Sequence, residues 1–166
     1  MDEAAQVIRL LTEKHQTLAT AESCTGGLLG KLLTDVPGAS AAYLGGVISY
    51  AYAVKEKLLG VPRDVLDSKG AVSEECAKAM AEGIMKAAGS DFGVSTTGIA
   101  GPTGGTAEKP VGTVYIGVAD KTGAFARKYV FKTEGCPDFL SERDFIRLQA
   151  VNQALLLLKK QIEKSK

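Results

Sequence analysis

Four stretches of this 166-residue chain carry residue types and spacings that chemistry can use. In Ala21-Glu22-Ser23-Cys24-Thr25-Gly26-Gly27, a serine hydroxyl stands between a short apolar-rich run, Leu18 to Glu22, and a helical pattern that starts after Gly27. Backbone N–H groups at a strand-to-helix turn lack intrahelical acceptors and can receive a phosphate or an oxyanion. Cys24, Thr25, Gly26 and Gly27 would then surround a substrate beside Ser23, the glycines letting it approach the backbone. The plainer account of the same residues is a serine N-cap with glycines kept for packing.

The second stretch pairs Tyr50 with Lys55. Tyr50 ends an apolar run and Lys55 falls about one turn into the next helical pattern. A lysine held away from water loses its charge and can take a proton from a serine, and a tyrosine could relay that proton. Otherwise Lys55 and Lys57 form a solvated helix face. The third stretch, Thr96 to Thr106, holds four glycines and four threonines directly after a strand pattern. Loops beyond the carboxyl ends of strands are where open α/β sheets bind ligands, which points to Thr97, Gly98 and Gly101. The stretch has no Gly-Lys-[Ser/Thr] ending and opens no long helix, so it is neither a Walker A loop nor a dinucleotide fingerprint. In the fourth, Arg143 and Arg147 are four apart on one helix face and could clamp a phosphate or carboxylate. Ion pairing with Glu142 and Asp144 is the competing account.

Other chemistries have less to work with. His15 is the only histidine and the three cysteines (Cys24, Cys76, Cys136) form no CxxC pair. A zinc site, a disulfide scaffold and a Ser-His-Asp triad are therefore not expected. Neither a metal nor a cofactor is expected. Cys24 shares the turn of Ser23, where the local field could lower a thiol pKa. Twenty Lys and Arg against 19 Asp and Glu leave a net charge of +1, which argues against nucleic acid as a partner. No signal peptide and no membrane-spanning run is evident, and the expected compartment is a reducing cytoplasm.

The elements that must position these residues follow from periodicity. Helices are expected at about 2–14, 28–33, 52–59, 73–88 and 140–164, the fourth opened by Ser73 as N-cap and stopped by Gly89. Strands are expected at 18–22, 43–50, 92–97, 111–119 and 124–131, the last two joined by Asp120-Lys121-Thr122-Gly123. Helices alternating with strands, then a hairpin and a long helix, predict one domain over 1–166. Its fold class is α/β, a three-layer α/β/α sandwich with a mixed, mostly parallel sheet. The stripe Leu148, Val151, Leu155, Leu158 and Ile162 is either core or a dimer seam.

Taken together, AESCTGG at 21–27, PGAS at 37–40, Tyr50 with Lys55, TGIAGP at 97–102, EKPVGTVYIG at 108–117 and the late arginines resemble the C-terminal domain family of the competence/damage-inducible protein CinA. The resemblance runs from about Val7 to Leu158 and is to the stand-alone form. It implies an α/β/α sandwich, a homodimer, and hydrolysis of the carboxamide of nicotinamide mononucleotide (NMN) to nicotinic acid mononucleotide and ammonia. By the same resemblance Ser23 is the catalytic serine, Tyr50 and Lys55 its activating pair, Ser40 and Thr97 polar pocket residues, and Arg143 the late arginine. The sequence departs from the family pattern at Tyr52, where Asn is common, and at Ser141-Glu142, where Gly-Asp is common. Two further readings stay open: a non-catalytic nucleotide- or partner-binding module, and an amidohydrolase for another small amide.

Overall fold

The computed structural model describes residues 3–165. Its first helix, α1 (Glu3–Glu13), buries Ala4, Val7, Ile8 and Leu11, a stripe at helical spacing. Strand β1 (Leu18–Glu22) is buried along its whole length. It leads through the Ser23 turn to α2 (Leu28–Thr34). A 3-10 turn at Ala39–Ala41 precedes β2 (Tyr43–Ile48), whose alternating exposure marks an edge strand. Helices α3 (Tyr52–Leu59) and α4 (Arg63–Ser68) follow. Helix α5 (Glu74–Ala88) has Ser73 as N-cap and left-handed Gly89 as C-cap. Strands β3 (Phe92–Gly98), β4 (Thr113–Asp120) and β5 (Gly123–Val130) complete the sheet, and α6 (Glu142–Lys164) closes the described chain.

The expected helices and strands are found. Helix α4 is an addition: its six residues are too few to show a period. The first helix was expected from position 2, which lies outside the described residues. Tyr50 falls beyond the end of β2 rather than inside the strand.

The sheet order is β2-β1-β3-β4-β5. β1 pairs in parallel with both β2 and β3, while β3–β4 and β4–β5 are antiparallel. Only β4 therefore runs against the other strands. One apolar cluster joins α1, α2 and α6 to one face. A second, smaller one joins α3, α4 and α5 to the other. The result is a three-layer α/β/α sandwich. The α6 stripe is resolved as core: Val151, Leu155, Leu158 and Ile162 are buried and Leu148 is half-buried. Truncating Leu155 or Leu158 to Ala would cost about 2–5 kcal/mol.

Function is positioned by the crossing pattern. From β1 the chain crosses to β2 on one side, then returns past β1 to β3 on the other. The connections at the carboxyl ends of β1 and β3 thus diverge, leaving a crevice where open α/β sheets bind ligands. Ser23 directly follows β1, and the 99–112 connection directly follows β3.

Candidate active site

Ser23 and Lys55 meet at that crevice. Lys55, on α3, is fully buried, and its Nζ lies 3.0 Å from Ser23 Oγ. Lys55 Nζ also donates to the Ser49 carbonyl. Ser49 is itself tied to β1, its N–H donating to Glu22 O at 2.7 Å. Among the described residues Lys55 has no carboxylate partner. Burial pulls its pKa below the ordinary lysine value, and Cys76 and Cys24 would oppose this only as thiolates. Those thiols are themselves held neutral: burial pushes Cys24 up to about 12 and Cys76 up to about 11. The expectation of a low-pKa Cys24 is therefore corrected. Arg147 and Lys55 do pull its pKa down, but desolvation outweighs them.

Ser23 does not cap α2. Its N–H donates to Thr96 O at 2.9 Å, and the cap is supplied by Glu22. Glu22 Oε2 accepts from the N–H groups of Gly27 (3.0 Å) and Leu29 (3.1 Å) and from Thr25 Oγ1 (2.6 Å); Oε1 accepts from the N–H of Gly30 (2.8 Å). Thr25 Oγ1 lies 2.6 Å from Thr96 Oγ1 as well, which joins the turn to β3. Gly27 has φ +100°, so glycine is required where the chain enters α2. These contacts correct the view that Gly26 and Gly27 offer free donors. Gly27 N–H is held by Glu22, and Gly26 N–H donates to Ser23 O at 3.2 Å. Among the described residues, only Cys24 and Thr25 keep turn N–H groups without a protein acceptor, apart from the Cys24 sulfur beside its own amide.

A cavity of about 320 Å³ opens on the pair, lined by Ser23, Cys24, Tyr50, Lys55, residues 97–101 and Arg143, among others. The two arginines part here. Arg143 donates to Gly101 O and, at 3.4 Å, to Tyr50 Oη. Arg147 instead donates from Nε to Cys24 O at 2.9 Å and pairs with Asp144 at 3.5 Å. They form no joint clamp. Tyr50 is 65% exposed and reaches Arg143, not Ser23 or Lys55. Thr97 lines the cavity, but its hydroxyl donates to Ala71 O at 2.7 Å. Ser40 lies before β2, at the sheet end opposite the cavity, and is exposed. Gly98 and Gly101 do line the cavity; Gly101 has φ +76° and its Cα faces Val111 closely. Among the described residues no three His, Cys, Asp or Glu side chains gather to hold a metal ion.

The sequence model of the CinA C-terminal domain matches residues 2–162. The chain belongs to the CinA C-terminal domain family. A CinA-like protein of Geobacter sulfurreducens is 49% identical over 156 residues, 94% of this chain and 36% of that protein. Another, of Thermotoga maritima, is 45% identical over 157 residues, 95% of this chain and 36% of that protein. The chain thus spans about a third of the length of these curated relatives. Among solved structures, a CinA superfamily protein from Klebsiella pneumoniae has a TM-score of 0.89 at 30% identity, covering 98% of this chain and 97% of that one. A competence/damage-inducible protein from Agrobacterium tumefaciens has a TM-score of 0.85 at 34% identity, covering 98% and 96%.

Within this CinA-type fold, two residues without an assigned role prove central. The sequence signal for Glu22 as the cap is an acid that ends an apolar-rich strand just before a helix. Arg147 was read only with Arg143. The departure at Tyr52 acquires a structural use: its hydroxyl accepts from Ala71 N–H at 3.2 Å. With Thr97 Oγ1 on Ala71 O, it braces the segment that walls the cavity.

Proposed function

We propose that this CinA-family chain is a serine amidohydrolase that converts NMN to nicotinic acid mononucleotide and ammonia. The single observation that supports it most is the fully buried Lys55 amine, 3.0 Å from Ser23 Oγ and without a carboxylate partner. In its neutral form the amine accepts the Ser23 proton. Ser23 Oγ then bonds to the carboxamide carbon, and the carbonyl oxygen becomes an anion facing the Cys24 and Thr25 N–H groups. On collapse the C–N bond breaks, Lys55 returns the proton to nitrogen, and ammonia leaves. Water, deprotonated by Lys55, opens the resulting ester. Lys55 returns that proton to Ser23 as the C–O bond to serine breaks, and the acid formed gives its own proton to solvent and leaves as a carboxylate. Lys55 acts directly, since Tyr50 stands on Arg143.

The nucleotide phosphate is assigned to Arg143 together with the N–H groups of Ala100, Gly101, Thr103 and Gly104; among the described residues Arg143 has no ion pair and none of these N–H groups has an acceptor. The family resemblance, rather than this pocket, supplies NMN as the specific amide. It also supplies the homodimer we infer. The three cysteines are free thiols and no described helix is long and apolar enough to cross a membrane; we place the reaction in the cytoplasm.

Ammonia release from NMN by the purified chain, run beside a calorimetric NMN titration and a panel of small amides, tests the proposal. Turnover of NMN is expected. Binding without turnover would replace it with a non-catalytic module. Turnover of another amide in preference to NMN would change the substrate.

A further inference from the structure

The Ser23 turn has seven consecutive residues, 24–30, that could offer N–H groups to a developing oxyanion. The structure removes most of them. Glu22 holds those of Gly27, Leu29 and Gly30, Gly26 N–H goes to Ser23 O, and Leu28 N–H donates to Thr25 O at 3.1 Å. Among the described residues, the Thr25 N–H and that of Cys24, which meets only its own sulfur, remain, and both residues are buried. A buried N–H without an acceptor costs about 1–3 kcal/mol, so it persists where a ligand uses it. Cys24 follows Ser23 directly and Thr25 follows Cys24, and Ser23 and Cys24 line the cavity.

The Thr25 N–H shares its peptide group with the Cys24 carbonyl. That carbonyl accepts from Arg147 Nε at 2.9 Å, although Arg147 is 123 residues away in the sequence and stands on α6. A cation on the oxygen of an amide draws electron density from its nitrogen, so the N–H opposite becomes a stronger donor; hydrogen-bonded groups polarise one another in this way. The same contact fixes the orientation of the peptide plane. Arg147 is also partly shielded from water, its side chain 26% exposed, and its other partner is Asp144 at 3.5 Å.

We propose that Arg147 is a positioning residue for the oxyanion: from outside the cavity it orients and polarises the Cys24–Thr25 peptide, whose N–H receives the anionic oxygen together with that of Cys24. This rests on the reading of Ser23 as nucleophile. It separates the two late arginines by task, Arg143 toward the bound substrate and Arg147 toward the intermediate.

The test uses the full chain and the series Arg147→Lys, Arg147→Gln and Arg147→Met. Two readouts are taken: NMN hydrolysis, and labelling of Ser23 by a fluorophosphonate. In labelling, Ser23 Oγ bonds to phosphorus, the P–F bond breaks, fluoride leaves and the serine proton passes to Lys55. The phosphoryl oxygen then carries the charge that the oxyanion site receives, without NMN. R147M should lower kcat and the labelling rate roughly 10- to 100-fold. KM should stay within about threefold, because the ground-state amide carries little charge. The order of rates should be wild type, R147K, R147Q, R147M, and the pH midpoint of activity should not move. If R147M does not fold, the R147K to R147Q ratio is the test. Equal rates for R147K and R147Q with only the melting temperature lowered would overturn the proposal, as would a KM-only effect. Labelling that follows the predicted order in a protein inactive on NMN would sink the substrate reading and support this one. Failure of wild-type Ser23 to label would overturn this one.

Discussion

Ser73 and Ser23 both precede a helix, and the two serines do opposite things. At α5, Ser73 Oγ accepts from Cys76 N–H at 3.2 Å and donates to Gly70 O at 2.8 Å. Its hydroxyl is fully engaged in holding the helix start. At α2, the capping work is done by the Glu22 carboxylate, and Ser23 Oγ is left to face Lys55 Nζ at 3.0 Å. The difference lies one residue upstream. An acid at the end of a buried strand satisfies the helix donors, which releases the serine from structure and makes it available for chemistry. Residue type alone does not separate the two: both are serines before helices.

The comparison can be broken most decisively at the nucleophile. Ser23→Ala should reduce ammonia release from NMN about 10⁴-fold or more, with NMN affinity by calorimetry nearly unchanged. Wild-type-like turnover would put Ser23 in the same class as Ser73. Next in size is Lys55→Met, expected to lower kcat about 10³-fold. This variant also carries a stability signature. Because burial lowers the Lys55 pKa, the folded chain has released a proton that the unfolded chain still holds, over the interval between the lowered value and the ordinary lysine value. Folding stability should therefore rise with pH across that interval. Urea melts at several pH values should show the rise in wild type and a flatter profile in K55M; the same slope in both would contradict the assignment.

Glu22→Ala sharpens the contrast from the other side. Removing the cap should cost about 2 kcal/mol in urea denaturation, and should lower turnover as the Ser23 turn loosens. Glu22→Gln, which keeps one acceptor oxygen, should recover part of both. The smallest effect belongs to Ser73→Ala: about 1 kcal/mol of stability with turnover unchanged. A large loss of activity there would mean that the two helix starts are not distinct in function.

How much of this was legible before the structure depends on distance along the chain. The sandwich was, because helical stripes such as Ala4, Val7, Ile8 and Leu11 and apolar-rich runs such as Leu18 to Ala21 are local patterns. Ser23, Lys55 and the 97–101 loop were legible as separate candidates. Their convergence was not: it depends on β2 and β3 flanking β1, which no local period encodes. The Glu22 cap reaches donors five to eight residues ahead, outside the spacing at which capping residues usually act. Arg143 and Arg147 do share a helix face, as the i,i+4 spacing says, yet one turn of helix is enough to aim them at different loops, Gly101 and Cys24. Ser40 entered only through resemblance, and its place before β2 puts it at the far end of the sheet within one chain.

Volume would also have misled. The larger cavity, about 620 Å³, lies at the other end of the sheet beside Gln16, Asp91, Asp120 and Gln161. Its carboxylates are already engaged: Asp120 accepts from Gln161 and Thr122, and Asp91 from Thr17. The smaller cavity has the opposite character, with donors left over and an amine that lacks an anion.

The state of that amine is what the account stands on, and NMR titration of the nitrogen-15 signal of Lys55 Nζ, assigned by its loss in K55M, measures it directly. The predicted midpoint lies below the ordinary lysine value of about 10.4 and coincides with the rise of kcat/KM for NMN with pH. An ammonium that persists up to that ordinary value, or a midpoint unrelated to the activity profile, would contradict it.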